Sequence, residues 1–167
     1  MDKMVKTPQI ILIDGPAGSG KTTLALKLQS ELNCQVIHLD SLYNGWDDAL
    51  TETLTKKLKG LLEAFLAKRP FELPIFNWEA KKFDGSRTIA PDSALIIEGV
   101  GAAQSTIRPF ATTIYWVEAE DDIGLERVLK RDGIGILEQM KIWKVREAQH
   151  FATERTRDFA DFIISTT

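Results

Sequence analysis

Cysteine is almost absent from this chain of 167 residues: Cys34 is its only one. A lone thiol forms no internal disulfide, which is compatible with a reducing, cytoplasmic setting. Cys34 itself, at the end of a helical stretch, reads as a small buried residue. Strong charge of either sign is also missing. A net charge of −3 gives no sign of the clustered positive field of a nucleic-acid platform. No apolar run approaches the roughly 20 residues that span a bilayer. Met1 to Pro8 lacks the apolar core and cleavage site of a signal peptide. Repeats, low-complexity tracts and linkers are absent, so residues 1–167 are expected to form one domain with a full core. What remains, 44% apolar and 27% charged residues, is the balance of an ordinary soluble globular protein.

The apolar residues fall into short runs separated by longer helical stripes. Gln9–Asp14, Gln35–Leu39, Ser93–Glu98, Thr112–Val117 and Phe162–Ile164 read as strands buried on both faces. Lys21–Asn33 reads as a helix with Leu24, Leu28 and Leu32 on one face. Asp47–Ala67 carries the stripe Leu50, Leu54, Leu58, Leu61, Leu62 and Phe65, with Asp47 or Asp48 as its cap. Asp121–Asp132 ends at Gly133. A last helix runs from Gly135 to about Arg157, with Met140 and Trp143 on its core face. Strands alternating with helices predict an α/β fold: a five-stranded parallel sheet covered by helices on both faces, in three layers. Residues 71–91 break the rhythm, and Asp84-Gly85 marks a hairpin there, an excursion that can form a flap.

The chemistry begins at Gly15-Pro16-Ala17-Gly18-Ser19-Gly20-Lys21-Thr22. The spacing G-x-x-x-x-G-K-T, after a buried strand and at the start of a helix, is that of a phosphate-binding loop. Glycines allow a tight turn that points backbone N–H groups inward at phosphates. The helix start adds partial positive charge. Gly15, Ala17, Gly18, Ser19, Gly20, Lys21, Thr22 and Thr23 are therefore the expected triphosphate contacts. Lys21 supplies a point charge, and the Thr22 hydroxyl a Mg²⁺ ligand. No Asn-Lys-x-Asp motif accompanies the loop, as a small GTPase requires. No strand ends in the aspartate usual in larger motor or transporter ATPases; the candidate strand ends Ile96-Ile97-Glu98-Gly99.

Asp40-Ser41-Leu42-Tyr43 follows the second strand. Together with Glu98-Gly99, Pro74-Ile75-Phe76-Asn77-Trp78, Arg127-x-x-x-Arg131-Asp132 and Phe159-Ala160-Asp161-Phe162-Ile163-Ile164, it resembles the uridine/cytidine kinase family of P-loop kinases, in the same order along nearly the whole chain. The resemblance implies a kinase that uses ATP and Mg²⁺ to phosphorylate a hydroxyl of a small nucleoside-like acceptor. It implies Asp40 as the group that takes the hydroxyl proton, Tyr43 beside the acceptor, Phe76 and Trp78 as walls of its pocket, and Arg127 and Arg131 on a lid, short here at 131–135, that covers ATP. Thr22, Asp40 and Glu98 form the implied metal set. Strand ends of an open parallel sheet converge on the binding crevice, which supports the same assignments for Asp40 and Glu98.

The sequence also departs from that family. Phe76 and Asn77 replace its tyrosine and aspartate, Asn44–Asp48 lacks its His-Pro element, and the chain stops at Thr167, where the family often adds adenine contacts. Ile13–Gly18 is similar to the loop of cytidylate kinases, so a nucleoside monophosphate acceptor stays open, with Lys81, Lys82 and Arg87 as candidate cations. A nucleotide-sensing switch without a small acceptor is the alternative of another class. At several positions a structural reading stands beside the functional one. Asp40 either acts as base or caps a turn with Ser41. Glu98 is a metal ligand, an alternative base or a strand-end charge. Phe76, Trp78 and Trp46 line a pocket or fill a hairpin core. His38, with no Cys/His cluster, reads as structural. Glu147, His150, Arg155 and Arg157 are candidates for a polar rim.

Overall fold

The computed structural model describes residues 7–166. The expectation for Met1–Pro8 therefore falls largely outside the described residues. Five parallel strands form the central sheet: β1 (Gln9–Asp14), β2 (Gln35–His38), β5 (Ala94–Glu98), β6 (Thr113–Glu118) and β7 (Phe162–Ser165). Their order is β2-β5-β1-β6-β7. Register runs Ile11↔Ile96 across β1 and β5 and Ile13↔Tyr115 across β1 and β6. The expected five-stranded parallel α/β sheet is thus found. Because side chains alternate between faces, each strand feeds two cores. Ile10, Leu12, Leu95 and Ile97 join the larger core, beneath α2 (Glu52–Leu66) and α4 (Leu137–Glu154). Ile11, Ile13, Ala94 and Ile96 join the smaller one, beneath α1 (Lys21–Leu32). That is the three-layer arrangement the pattern predicted.

The stripe of α2 packs as expected, with Leu54, Leu58, Leu61, Leu62 and Phe65 all buried. Each contributes roughly 1.5–3 kcal/mol of burial. The start of α2 is corrected: the N-cap is Thr51, whose hydroxyl accepts from Thr53 N–H at 3.3 Å. Asp48 sits in a preceding turn, bonded to the Asn44 amide at 2.9 Å and to the Thr51 hydroxyl. Leu50 consequently precedes the helix.

The excursion is an antiparallel hairpin, β3 (Phe71–Asn77) and β4 (Lys82–Ile89). Its turn is not Asp84-Gly85. The chain reverses at residues 78–81, where Asn77 Oδ1 accepts the N–H groups of Glu79 and Ala80, each at 3.0 Å, an Asx turn. Asp84-Gly85 lies inside β4, opposite the register break between Pro74 and Phe76. Gly85, at φ +78°, is the bulged residue; an extra residue there bends the strand.

Among the described residues α3 (Asp121–Asp132) ends at Gly133 as expected, a 3-10 turn covers Ile134–Ile136, and α4 then begins at Leu137. No helix among the described residues is long and apolar enough to cross a membrane.

Candidate active site

The phosphate loop follows β1 and opens α1, at the end of the sheet where β5 and β6 diverge from it. Gly20 caps α1 at φ 107° without a side-chain hydrogen bond, so the first N–H groups of the helix are left for an external acceptor. Lys21 is buried, and its ammonium donates to Pro16 O at 2.7 Å. Burial pulls the Lys21 ammonium below its ordinary pKa, against the charges of Glu98, Asp14, Glu147 and Asp40. The Ser19 hydroxyl is buried without a partner among the described residues. It lies 3.3 Å from where a Cβ on Gly15 would stand, on the side where Gly15 packs against Val117 O. A phosphate oxygen is the acceptor such a set of donors fits.

The loop is held from outside at several points. A Cβ on Gly18, at φ +75°, would come within 2.1 Å of Gly124 O, so α3 presses directly on the loop backbone. Asp14, fully buried, accepts from Gly15 N–H at 2.8 Å, Gly101 N–H at 3.1 Å and Ala103 N–H at 2.8 Å. It thereby joins the loop to the segment after β5. Burial pushes the Asp14 carboxyl up, although the three N–H donors oppose the rise. Glu147 of α4 accepts from Ala17 N–H at 3.0 Å.

Opposite the loop stand the strand-end carboxylates. Asp40 lies in the 3-10 turn Leu39–Ser41 that closes β2. Ser41 is the residue that ties this turn, donating to His38 O at 2.7 Å. The Asp40 carboxylate makes no hydrogen bond among the described residues. It reaches solvent, yet from inside the concavity. Crowding there raises its pKa, Glu98 raises it further, and Lys21 and Arg131 pull it back. Glu98 is buried; Thr22 donates to its Oε1 at 3.1 Å, and His38 Nδ1 lies 2.6 Å from the same oxygen. The hydrogen bond to Glu98 holds the His38 imidazole above its ordinary pKa despite partial burial. His38 is therefore structural in the sense of orienting a site carboxylate, a role its sequence position did not disclose.

Among the described residues no group of three or more His, Cys, Asp or Glu side chains could hold a metal alone. Thr22, Glu98 and Asp40 are nonetheless hard oxygen donors around the loop. They suit Mg²⁺, which takes one or two carboxylates and fills its shell from phosphates and water.

The residues expected to meet an acceptor belong to an aromatic cluster. Trp78, 38% exposed, donates its indole N–H to Asp40 O at 2.8 Å. Phe76 and Trp46 meet Trp78 at 4.9 and 5.5 Å between centroids, and Trp143 meets Trp46 at 6.0 Å. Phe76 is buried against Phe83. Tyr43 is also buried, and its hydroxyl donates to Val100 O at 2.5 Å. Of the three expected acceptor contacts, only Trp78 is open to a ligand in this conformation. A cavity of about 400 Å³ adjoins the cluster, lined by Trp46, Trp143, Arg146 and His150 among others.

The two lid arginines differ. Arg131 pairs with Asp132 at 2.7 Å. That hydrogen bond raises its guanidinium pKa, burial opposes, and the charges of Asp132, Asp40 and Glu98 add to the rise, so it faces the carboxylates. Arg127 instead donates to Gly18 O at 3.2 Å, Thr166 Oγ1 at 2.9 Å and Thr166 O. In this conformation it ties the outer side of the loop to the residue after β7.

Other expectations move as well. Arg87 donates to Val36 O at 2.7 Å, and Lys81 and Lys82 are exposed at the hairpin turn, so these cations do not form one pocket. Glu147 is buried beneath the loop rather than on a rim. Arg155 and Arg157 pair with Asp158 and Glu118. Cys34 is buried as expected. Burial raises its thiol pKa, and Asp92 adds to that.

With this geometry in place, similarity to known proteins can be read. The sequence profile of the AAA domain family matches residues 11–150. A uridine kinase of Limosilactobacillus reuteri (strain DSM 20016) is 25% identical, over 95% of this chain and 84% of that protein. Among solved structures, one described as a possible uridine kinase from Bacillus stearothermophilus superposes with a TM-score of 0.67 at 23% identity, covering 98% of this chain and 92% of the other. Shikimate kinase from Acinetobacter baumannii, solved with shikimate, gives a TM-score of 0.57 at 17% identity, covering 99% and 87%. The resemblance read from the motifs is borne out by these likenesses.

Proposed function

The chain belongs to the AAA domain family, and on that premise we propose that it is an ATP-dependent P-loop kinase, moving the γ-phosphoryl group of ATP to a hydroxyl of a small nucleoside-like acceptor. One observation carries the reading. A phosphate-loop lysine, an unbonded strand-end carboxylate close enough to feel its charge, and an indole anchored to that carboxylate's own backbone lie together at one end of the sheet. A nucleotide switch needs neither the carboxylate nor the indole.

The roles follow from the contacts. The amides of Gly18 and of Gly20 to Thr23 and the Lys21 ammonium hold the phosphates. Asp40 orients the acceptor hydroxyl and takes its proton; its raised pKa makes it a better base than an ordinary carboxylate. Trp78 offers an exposed ring face on which a planar base stacks. Arg131 meets the charge that develops on the transferred group. Thr22, Glu98 and Asp40 are the side chains that would hold Mg²⁺. When bound, the ion neutralises charge on the phosphates. The reaction belongs in the cytoplasm, where ATP is supplied and a lone thiol stays reduced.

The test is ATP consumption by the purified protein against a panel of nucleosides, nucleotides and sugars. Stimulation by a hydroxyl-bearing nucleoside is expected. With that acceptor, Asp40→Asn should lower kcat by about 100- to 10,000-fold. Full activity in Asp40→Asn would remove Asp40 as the base. No stimulation by any acceptor would remove the kinase.

A further inference from the structure

Lys144 and Glu147 are three residues apart on α4, on one helix face. Both reach back across the chain to the same residue of the phosphate loop. Glu147 Oε2 accepts from Ala17 N–H at 3.0 Å, and Lys144 Nζ donates to Ala17 O at 3.3 Å. Between themselves they form an ion pair at 3.1 Å, with Glu147 only 3% exposed at its side chain and Lys144 20%. The Glu147 Oε1 atom lies in that ion pair without hydrogen-bond alignment.

A buried carboxylate is costly unless it is paired and hydrogen-bonded. A helix-surface ion pair of ordinary kind stays in water and holds nothing else. This one is carried into the interior and grips the backbone on both sides of a single α-carbon. The N–H of Ala17 fixes the peptide before it, and the C=O fixes the peptide after it. Both dihedral angles of Ala17 are therefore set from α4. The next residue is Gly18, at φ +75°, packed on Gly124. From there Ser19 N–H closes a turn onto Pro16 O at 3.2 Å, and Gly20 opens α1 with its first N–H groups uncapped by a side chain.

We propose that Glu147 and Lys144 are positioning residues of the nucleotide site, which set the Ala17 backbone so that the donors of Gly18 and of Gly20 to Thr22 meet the phosphates already aligned. The inference rests on the reading of Gly15–Thr22 as a triphosphate site. Neither side chain touches a reacting group; both act through the loop backbone.

The experiment compares the parent with Glu147→Ala, Glu147→Gln and Lys144→Met. The readouts are calorimetric affinity for a magnesium-bound non-hydrolysable ATP analogue, affinity for AMP, and the thermal midpoint. Losing a charge-assisted hydrogen bond to the loop should weaken analogue binding by Glu147→Ala about tenfold. Glu147→Gln keeps an acceptor for Ala17 N–H and should recover to within about threefold. Lys144→Met should lose a few-fold. AMP, which lacks the β- and γ-phosphates, should bind all four proteins within about twofold. Equal analogue affinity in the parent and Glu147→Ala overturns the inference alone, as does equal weakening of analogue and AMP. Should Glu147→Ala fail to fold, the glutamine and methionine variants decide, and unchanged affinity in Lys144→Met counts against the proposal. A parent that binds no analogue removes the triphosphate reading, and this inference with it.

Discussion

Five carboxylates near the nucleotide end of the sheet differ in what they face. Asp14 accepts only backbone N–H groups and joins two loops. Glu98 takes Thr22 and His38. Glu147 takes the loop from behind. Asp40 is left without a partner among the described residues, which is what a proton acceptor requires. Glu118, at the end of β6, serves stability: Arg157 Nε donates to it at 2.9 Å and Trp116 Nε1 at 2.7 Å. The Arg157 hydrogen bond holds the Glu118 carboxyl below its ordinary value of 4.5. A depressed carboxyl contributes stability above its unfolded pKa and loses it as pH falls through the folded one. Glu118→Gln should therefore cost under about 1 kcal/mol at neutral pH, given the exposed partner. The difference from the parent should shrink as pH falls below 4.5 and through the folded pKa, by urea midpoints at neutral and acid pH. Lys21, Thr22, Asp40 and Glu98 were legible in the sequence because a motif or a strand end marks them. Asp14, Glu147 and Lys144 were not singled out for these roles, since Asp14 reaches Gly101 across 87 residues and Glu147 and Lys144 reach Ala17 across 130 and 127. No local pattern reports such a bond.

Elements were legible where burial on both faces, or a single stripe, dictates them. The five sheet strands fall within a residue or so of the expected bounds, because a short apolar β-branched run has few alternatives. Ends were harder. Asp47 and Asp48 are as good a cap in composition as Thr51, but Asp48 is already engaged by Asn44 and Thr51. The hairpin misled for a related reason. Asp-Gly suits a tight turn and a bulge equally, since both need a residue at positive φ, and the Asn77 side chain had already claimed the reversal. If Thr51 is the cap, Thr51→Ala should destabilise the protein by about 1 kcal/mol, read from chemical denaturation, while Asp47→Ala should change stability by less than about 0.5 kcal/mol. An equal loss from both would return the cap to the aspartates.

At the scale of the molecule, sheet order does the positioning. With β1 between β5 and β6, the loop after β1 lies beside the ends of β5 and β2, where Glu98 and Asp40 emerge. The loop is braced by Gly124 of α3, by α4 and by Thr166 beyond β7, so elements from the last third of the chain finish a site that its first quarter begins. The aromatic cluster has an optical consequence. Three of the four tryptophans, Trp46, Trp78 and Trp143, lie in ring-to-ring contact at 5.5 and 6.0 Å. Excitation absorbed by any of them migrates among all three and collects at Trp78, the one whose solvent exposure lowers its emission energy. The chain thus carries its own light-emitting gauge, anchored to the backbone of Asp40. Saturation with a stacking acceptor should shift that emission to the blue; Trp78→Phe should abolish the shift, and Trp116→Phe, at a buried indole outside the cluster, should leave it intact.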